Sequence, residues 1–143
     1  MWFRNELSSL AEVSLYTPFS EVIEHKKRKI VLNSLKYSEG TLHYGIDFEL
    51  LEKQFQDETN KILLFCSPQN TVGRVWTKDE LHKIHCLAKN YNIIILSDEI
   101  WQDIEYDPFN FISMLQMDQD DDISIVFSKI IFLSRHVIFG GLF

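Results

Sequence analysis

The sequence predicts an α/β domain with a mainly parallel sheet. Residues 61–66 and residues 93–96 are almost wholly apolar runs of strand length. Strands of this kind are usually buried on both faces, as in parallel sheets. Between the two runs, Thr77 and Glu80 have the Ser/Thr-x-x-Glu spacing of a capping box, which marks the start of a helix. Strand, capped helix and strand in this order predict a right-handed βαβ unit.

The amino-terminal part contains weaker signals. Residues 1–12 show little pattern, and residues 13–16 predict the end of a short strand. Pro18 follows as a turn or helix start, and apolar residues at helical spacing extend this helix to about His25. Residues 29–32 then predict a short apolar strand.

The remaining segments complete the pattern. Residues 36–45 are polar and are expected to form a loop, after which Asp47 can cap a helix with apolar residues on one face. Near the other end, residues 118–122 predict an acidic turn, and residues 123–127 predict a further strand. A chain of 143 residues is expected to form one domain.

Composition and charge narrow the class of protein. The net charge of −7 argues against a broad surface for nucleic acid or anionic membranes. The amino terminus does not have the pattern of a signal peptide, and no apolar run approaches the ~18 residues that a membrane helix needs. The two cysteines predict reduced thiols in a cytoplasmic protein. His82 and His85 are expected on the surface of a helix rather than in a metal site.

Three polar residues follow the predicted strands at the positions where each strand ends. They are Asn70, Asp98 and Lys129. Any one of them alone is ordinary loop polarity. Because ligands of open parallel sheets bind beyond the carboxyl ends of the strands, the three together indicate a binding site.

The same segments resemble a known family. Residues 66–81, CSPQNTVGRVWTKDEL, are similar to the Ser-Pro-x-Asn-Pro-x-Gly-Arg-Val-Trp-Thr segment of the cystathionine β-lyase/carbon–sulfur lyase (MalY/PatB) branch of the aminotransferase class I/II superfamily, the fold-type I pyridoxal-phosphate enzymes. Residues 93–100 resemble the strand with an Asp-Glu-Ile end, and residues 127–129 the segment of the lysine that carries the cofactor. Residues 15–19 resemble a Val-Tyr-Pro-Pro-Phe stretch.

The resemblance implies a fold and a set of roles. The fold is part of a three-layer sandwich, the large domain that binds pyridoxal 5'-phosphate. Asp98 would keep the pyridine nitrogen protonated, and Lys129 would attach to the cofactor and move the substrate's α-proton. Asn70 would donate to the ring oxygen, Tyr16 would stack on the ring, and Ser128 would contact the phosphate. A sulfur-containing amino acid would be split into a thiol, pyruvate and ammonia.

The chain departs from the family pattern in several places. Thr71 replaces the proline that presets the asparagine loop. Trp101, expected beside the cofactor, replaces a histidine or tyrosine, and its indole N–H can only donate. The sequence after Lys129 keeps little of the family pattern, and a frameshift would explain this.

Residues 1–143 are therefore interpreted as a partial cofactor-binding domain. The phosphate loop before it and the small domain after it are expected to be absent. Because positioning dominates such catalysis, little or no activity is expected of this chain alone, and whether it is an enzyme stays open.

Three other interpretations compete with this one. Residues 93–99 resemble a Walker B strand, but the GxxxxGK[ST] phosphate loop of an ATPase does not occur. A non-catalytic remnant that no longer binds the cofactor is a second interpretation. An aminotransferase would share Asn70, Asp98 and Lys129, and only the residues around the asparagine loop favour the lyase branch. The family's homodimeric assembly is an expectation that this chain leaves open.

Overall fold

A computed structural model describes residues 8–12, 17–70, 72–104, 107–117 and 125–128. The strands of these residues are β1 Ser8–Glu12, β2 Lys29–Asn33, β3 Lys36–Ser38, β4 His43–Gly45, β5 Asn60–Cys66, β6 Ile94–Asp98 and β7 Ile125–Ser128. The helices are α1 Thr17–His25, α2 Phe48–Phe55 and α3 Lys78–Tyr91, and a 3-10 helix spans Met114–Met117. None of the described helices is both long and apolar enough to cross a membrane.

Five strands form one parallel sheet in the order β2-β1-β5-β6-β7. The apolar runs of β5 and β6 are typical of parallel strands, but β6 is fully buried on one face only, where Ile95 and Ser97 lie, whereas Ile94 is exposed. Helix α3 connects the parallel neighbours β5 and β6. The α/β class and the parallel sheet are thus confirmed. The crossovers β1–α1–β2 and β5–α3–β6 run in opposite directions along the sheet, and crossovers of the usual right hand then place α1 and α3 on opposite faces. The predicted partial three-layer sandwich is therefore confirmed as well.

Helix α3 begins where the sequence predicts. The Thr77 side chain accepts a hydrogen bond from the Glu80 N–H, and the Glu80 carboxylate accepts one from the Thr77 N–H. At the other end Asn92 has a φ of 54°, a left-handed conformation that asparagine tolerates and that ends a helix. The strand β6 therefore starts immediately after the helix.

The core lies between one face of the sheet and helices α2 and α3. Its members come from β5, β6, both helices, the 3-10 helix and the segments beside them: Ile46, Leu51, Phe55, Leu63, Phe65, Trp76, Leu81, Ile84, Leu87, Ala88, Ile93, Ile95, Met114 and Met117. On α3, Leu81, Ile84 and Ala88 recur at three- and four-residue spacing, which places them on one face of the helix.

The structure corrects three expectations. Residues 8–12 form β1, between β2 and β5, where the sequence shows little pattern. Residues 36–45, expected to be a loop, contain the antiparallel pair β3 and β4. His85 is only 8% exposed, so its predicted surface position is wrong. It lies four residues after Leu81 and therefore on the packed face of α3, whereas His82 is exposed as expected.

Candidate functional site

The carboxyl ends of β5, β6 and β7 lie side by side. Cys66 pairs with Asp98 in the register of β5 and β6, and Asp98 pairs with Ser128 in the register of β6 and β7. All three residues are the last of their strands. The segments that leave these strands therefore start from one edge of the sheet, where ligands of parallel sheets bind.

Asp98 is the titratable group at the centre of this edge. Its side chain is half-buried, and its Oδ1 accepts a hydrogen bond from the Ile100 N–H at 3.2 Å. Burial raises the pKa of the Asp98 carboxyl, and the charge of Glu99 raises it further, while the Ile100 N–H opposes the shift. A carboxyl in this setting favours a cationic or hydrogen-bond-donating partner.

Asn70 lies on a turn that follows β5. The Ser67 N–H donates to the Asp98 carbonyl at 2.9 Å, which ties the start of this segment to β6. Gln69 and Arg74 then close the turn, because the Gln69 N–H donates to the Arg74 carbonyl at 2.8 Å and the Gly73 N–H donates to the Gln69 carbonyl at 3.1 Å. Asn70 is exposed on this turn.

The other predicted site residues divide into two groups. Trp101 lies in the turn after β6, 38% exposed, and its carbonyl accepts from the Ile104 N–H at 2.9 Å. Ser128 is placed by its backbone pairing with Asp98. Tyr16 and Lys129 lie outside the described residues, as does Thr71, so their predicted roles stay predictions. Within the described ranges, no group of three or more histidine, cysteine or acidic side chains could hold a metal ion.

Glu99 is a polar residue that the sequence did not single out. It is 0% exposed, and its Oε1 accepts hydrogen bonds from the Ser97 hydroxyl at 2.9 Å and from the Met114 N–H at 2.8 Å. Glu99 thus links the end of β6 to the 3-10 helix. The sequence carries no local signal for this contact, because Met114 lies far along the chain.

Comparison with known proteins agrees with the fold. The model of the aminotransferase class I and II family matches residues 12–133. Cystathionine β-lyase PatB of Bacillus subtilis is 34% identical over 116 residues, which cover 78% of this chain and 28% of that protein. A probable aspartate aminotransferase of Methanocaldococcus jannaschii is 30% identical over 99 residues, which cover 69% of this chain and 24% of that protein.

The solved structure of cystalysin from Treponema denticola, which contains a pyridoxal 5'-phosphate cofactor, superposes with a TM-score of 0.75 at 38% identity. That match covers 79% of this chain and 28% of cystalysin. The chain therefore spans roughly a quarter of the length of these relatives. The family's cofactor is pyridoxal phosphate, as predicted. Because the family model matches most of this chain, the chain belongs to the aminotransferase class I and II family.

Proposed function

We propose that this chain is part of the cofactor-binding domain of a pyridoxal-phosphate-dependent carbon–sulfur β-lyase of the cystathionine β-lyase type. The observation that carries the proposal is Asp98, half-buried at the carboxyl end of β6 and paired with Cys66 and Ser128 on both sides. The similarity to PatB and cystalysin supports the lyase assignment.

The Asp98 carboxyl fits a pyridine nitrogen chemically. Burial and the neighbouring Glu99 raise the pKa of Asp98, so a nearby positive charge would be favourable to it. A protonated ring nitrogen supplies that charge and one N–H donor. In return, the carboxylate favours the protonated form of the nitrogen. This mutual stabilisation of the carboxylate and the protonated nitrogen is the reason an acid is needed at this position.

The remaining roles follow from the family resemblance. Bound pyridoxal phosphate takes up the negative charge that develops at the substrate's α-carbon. Lys129 would hold the cofactor covalently and then move the α-proton through its Nζ. The Asn70 amide would donate to the ring oxygen, Tyr16 would cover one ring face, and Ser128 would donate to the phosphate.

Trp101 is proposed to border the cofactor from the turn after β6. A tryptophan there offers a single N–H donor and a large apolar surface, in place of the usual histidine or tyrosine. With sulfur on the substrate's β-carbon, loss of the α-proton would break the carbon–sulfur bond and release a thiol. Water would then hydrolyse the remaining three-carbon enamine to pyruvate and ammonia.

Cofactor binding is tested by covalent trapping. The purified chain would be mixed with pyridoxal phosphate, reduced with borohydride and digested, and the modified peptide identified by mass spectrometry. We expect the added mass on Lys129 and its loss in Lys129→Ala. Lys78→Ala is the matched control, because Lys78 is exposed at the start of α3. Equal labelling of many lysines, or none at Lys129, would contradict the proposal and favour a remnant that no longer binds the cofactor.

Catalysis by these 143 residues alone is proposed to be little or none, because they span roughly a quarter of the relatives' length. Steady release of pyruvate from cystathionine by the purified chain would refute this part of the proposal. Light scattering of the cofactor-loaded chain would test the homodimer that the resemblance implies.

An aminotransferase is the second candidate, and the similarity to a probable aspartate aminotransferase supports it. The two functions differ in what happens after the α-proton is removed. A chimaeric PatB in which residues 12–133 replace the matching segment would distinguish them. Pyruvate release from cystathionine supports the lyase, whereas amino transfer to 2-oxoglutarate without pyruvate release supports the aminotransferase.

A further inference from the structure

Arg74 connects the turn that carries Asn70 to two other parts of the fold. Its Nη1 donates to the Tyr44 carbonyl, in the middle of β4. Its Nη2 donates to the Glu80 carboxylate at 2.9 Å, on the first turn of α3. The guanidinium also lies 4.6 Å from the centre of the Trp76 ring. Three separate elements therefore meet on one side chain.

The backbone of the same residue closes the turn. The Arg74 carbonyl accepts from the Gln69 N–H at 2.8 Å, and Asn70 is the next residue after Gln69. The guanidinium thus holds the closing end of a short turn whose exposed part includes Asn70. Any displacement of Arg74 would be passed to Asn70 through the hydrogen bonds that close the turn.

The burial and the geometry of the Arg74–Glu80 ion pair favour arginine over lysine at position 74. The Arg74 and Glu80 side chains are only 14% and 20% exposed. Glu80 Oε2 also accepts hydrogen bonds from the Thr77 N–H at 2.8 Å and from the Thr77 hydroxyl at 2.9 Å. These bonds hold the carboxylate in place independently of Arg74. A guanidinium offers two separate donors in a rigid plane, whereas a lysine ammonium is a single point. Lysine at this position would keep the charge and lose one of the two bonds.

We propose that Arg74 is a positioning residue for Asn70. It restrains the turn in a chain that has Thr71 where the family pattern has a proline. A proline would fix φ within the turn. A threonine does not fix φ in this way, and the side-chain contacts of Arg74 supply a restraint from outside the turn. The role of Asn70 towards the cofactor rests on the proposed function, but the restraint itself is a property of the chain without cofactor.

Hydrogen exchange of the cofactor-free 143-residue chain tests the restraint directly. In Arg74→Lys we expect the Gln69 and Gly73 amides to exchange about tenfold faster or more, which corresponds to the loss of one hydrogen bond to a charged group. The amides in the middle of α3 should keep their rates. Glu80→Gln is a second variant that removes the ion pair and keeps a capping residue, and the same two amides should exchange faster in it.

Lys83→Gln is the matched control. Lys83 lies on α3 with its Nζ 4.2 Å from the centre of the Phe48 ring, so the variant removes a cation from the same helix and leaves the turn alone. We expect no change in the exchange of Gln69 and Gly73. The proposal is overturned if Arg74→Lys and Glu80→Gln leave these two amides unchanged, or if the turn and α3 accelerate by the same factor.

A double-mutant cycle links the restraint to the cofactor. Pyridoxal phosphate affinity would be measured for Arg74→Lys, Asn70→Ala and the double variant. If Arg74 acts through Asn70, Arg74→Lys weakens binding in the parent and has little further effect in Asn70→Ala. Fully additive losses would overturn the positioning role. If the parent chain binds no cofactor, the proposed function fails at that step, and the exchange rates alone decide the role of Arg74.

Discussion

Replacement of Trp76 by phenylalanine is expected to destabilise the fold at the strand end beside Asp98. Trp76 is 1% exposed, and its Nε1 donates to the Cys66 carbonyl at 3.0 Å. The ring also packs against Phe65, with 6.0 Å between ring centres. Trp76→Phe keeps an aromatic ring in the core and removes the indole N–H and the second ring.

The expected cost follows from two losses. The hydrogen bond to the Cys66 carbonyl contributes about 1 kcal/mol. A cavity of up to roughly 40 Å³, at about 24 cal/mol per Å³, adds about 1 kcal/mol. The free energy of unfolding should therefore fall by about 2 kcal/mol. That is a large part of the stability of a domain this size.

Urea unfolding followed by far-ultraviolet circular dichroism measures this cost without relying on tryptophan fluorescence. Trp101→Phe is the matched control, because Trp101 is 38% exposed, and its replacement should change the free energy of unfolding by less than about 0.5 kcal/mol. A Trp76→Phe cost below about 0.5 kcal/mol, or equal costs for the two variants, would refute the role assigned to Trp76.

Three further predictions concern β6 and α3. Glu99→Ala leaves the Ser97 hydroxyl and the Met114 N–H without their carboxylate acceptor and should cost about 2–5 kcal/mol in urea unfolding. Glu99→Gln keeps an acceptor and should cost clearly less, so equal costs would contradict this account. The raised pKa of Asp98 means that its ionisation opposes folding. Asp98→Asn should therefore raise the stability of the cofactor-free chain at pH 7 and have no effect at a pH below the ordinary pKa of aspartate; a lower stability at pH 7 would contradict this. Replacement of Leu81, which is 0% exposed, by alanine should lower the free energy of unfolding by about 2–5 kcal/mol, measured by the same urea titration.

The central βαβ unit could be predicted because its signals are local. The apolar runs of β5 and β6 need no knowledge of their neighbours, and the capping box at Thr77 fixes the start of α3. The predicted bounds of β5 and β6 agree with the structure to within one or two residues. Propensity, pattern and capping all favour the same structure here, which is the condition under which such reasoning works.

The strand β1 and the β3–β4 pair could not be predicted because their stability comes from partners. Residues 8–12 contain only two apolar side chains, Leu10 and Ala11, and β1 exists because it pairs with β2 on one side and β5 on the other. In the β3–β4 pair, the Tyr37 and Tyr44 rings lie 4.8 Å apart between centres while both side chains are exposed. Cross-strand pairs of this kind stabilise a hairpin without burying a face.

The candidate site shows the same division between local and long-range information. Asn70 and Asp98 could be predicted from their positions after apolar strands. The partner of Arg74 in the β3–β4 pair lies 30 residues earlier in the chain, and the Met114 partner of Glu99 lies 15 residues later. No periodicity specifies either contact, so neither residue could be assigned a role of its own beyond the motif that contains it.

The two consecutive acidic residues at the end of β6 differ in the face of the sheet on which they lie. Successive residues of a strand point to opposite faces. Ser97 and Glu99 are both 0% exposed on the core side, while Asp98 is half-buried beside Cys66. A slip of one residue in the pairing of β6 would exchange these positions, placing Glu99 at the edge and Asp98 in the core. The Asp-Glu pattern alone therefore does not determine which of the two carboxylates lies at the edge of the sheet. The pairing of β6 with β5 and β7 is what leaves Asp98 available to a ligand and commits Glu99 to packing.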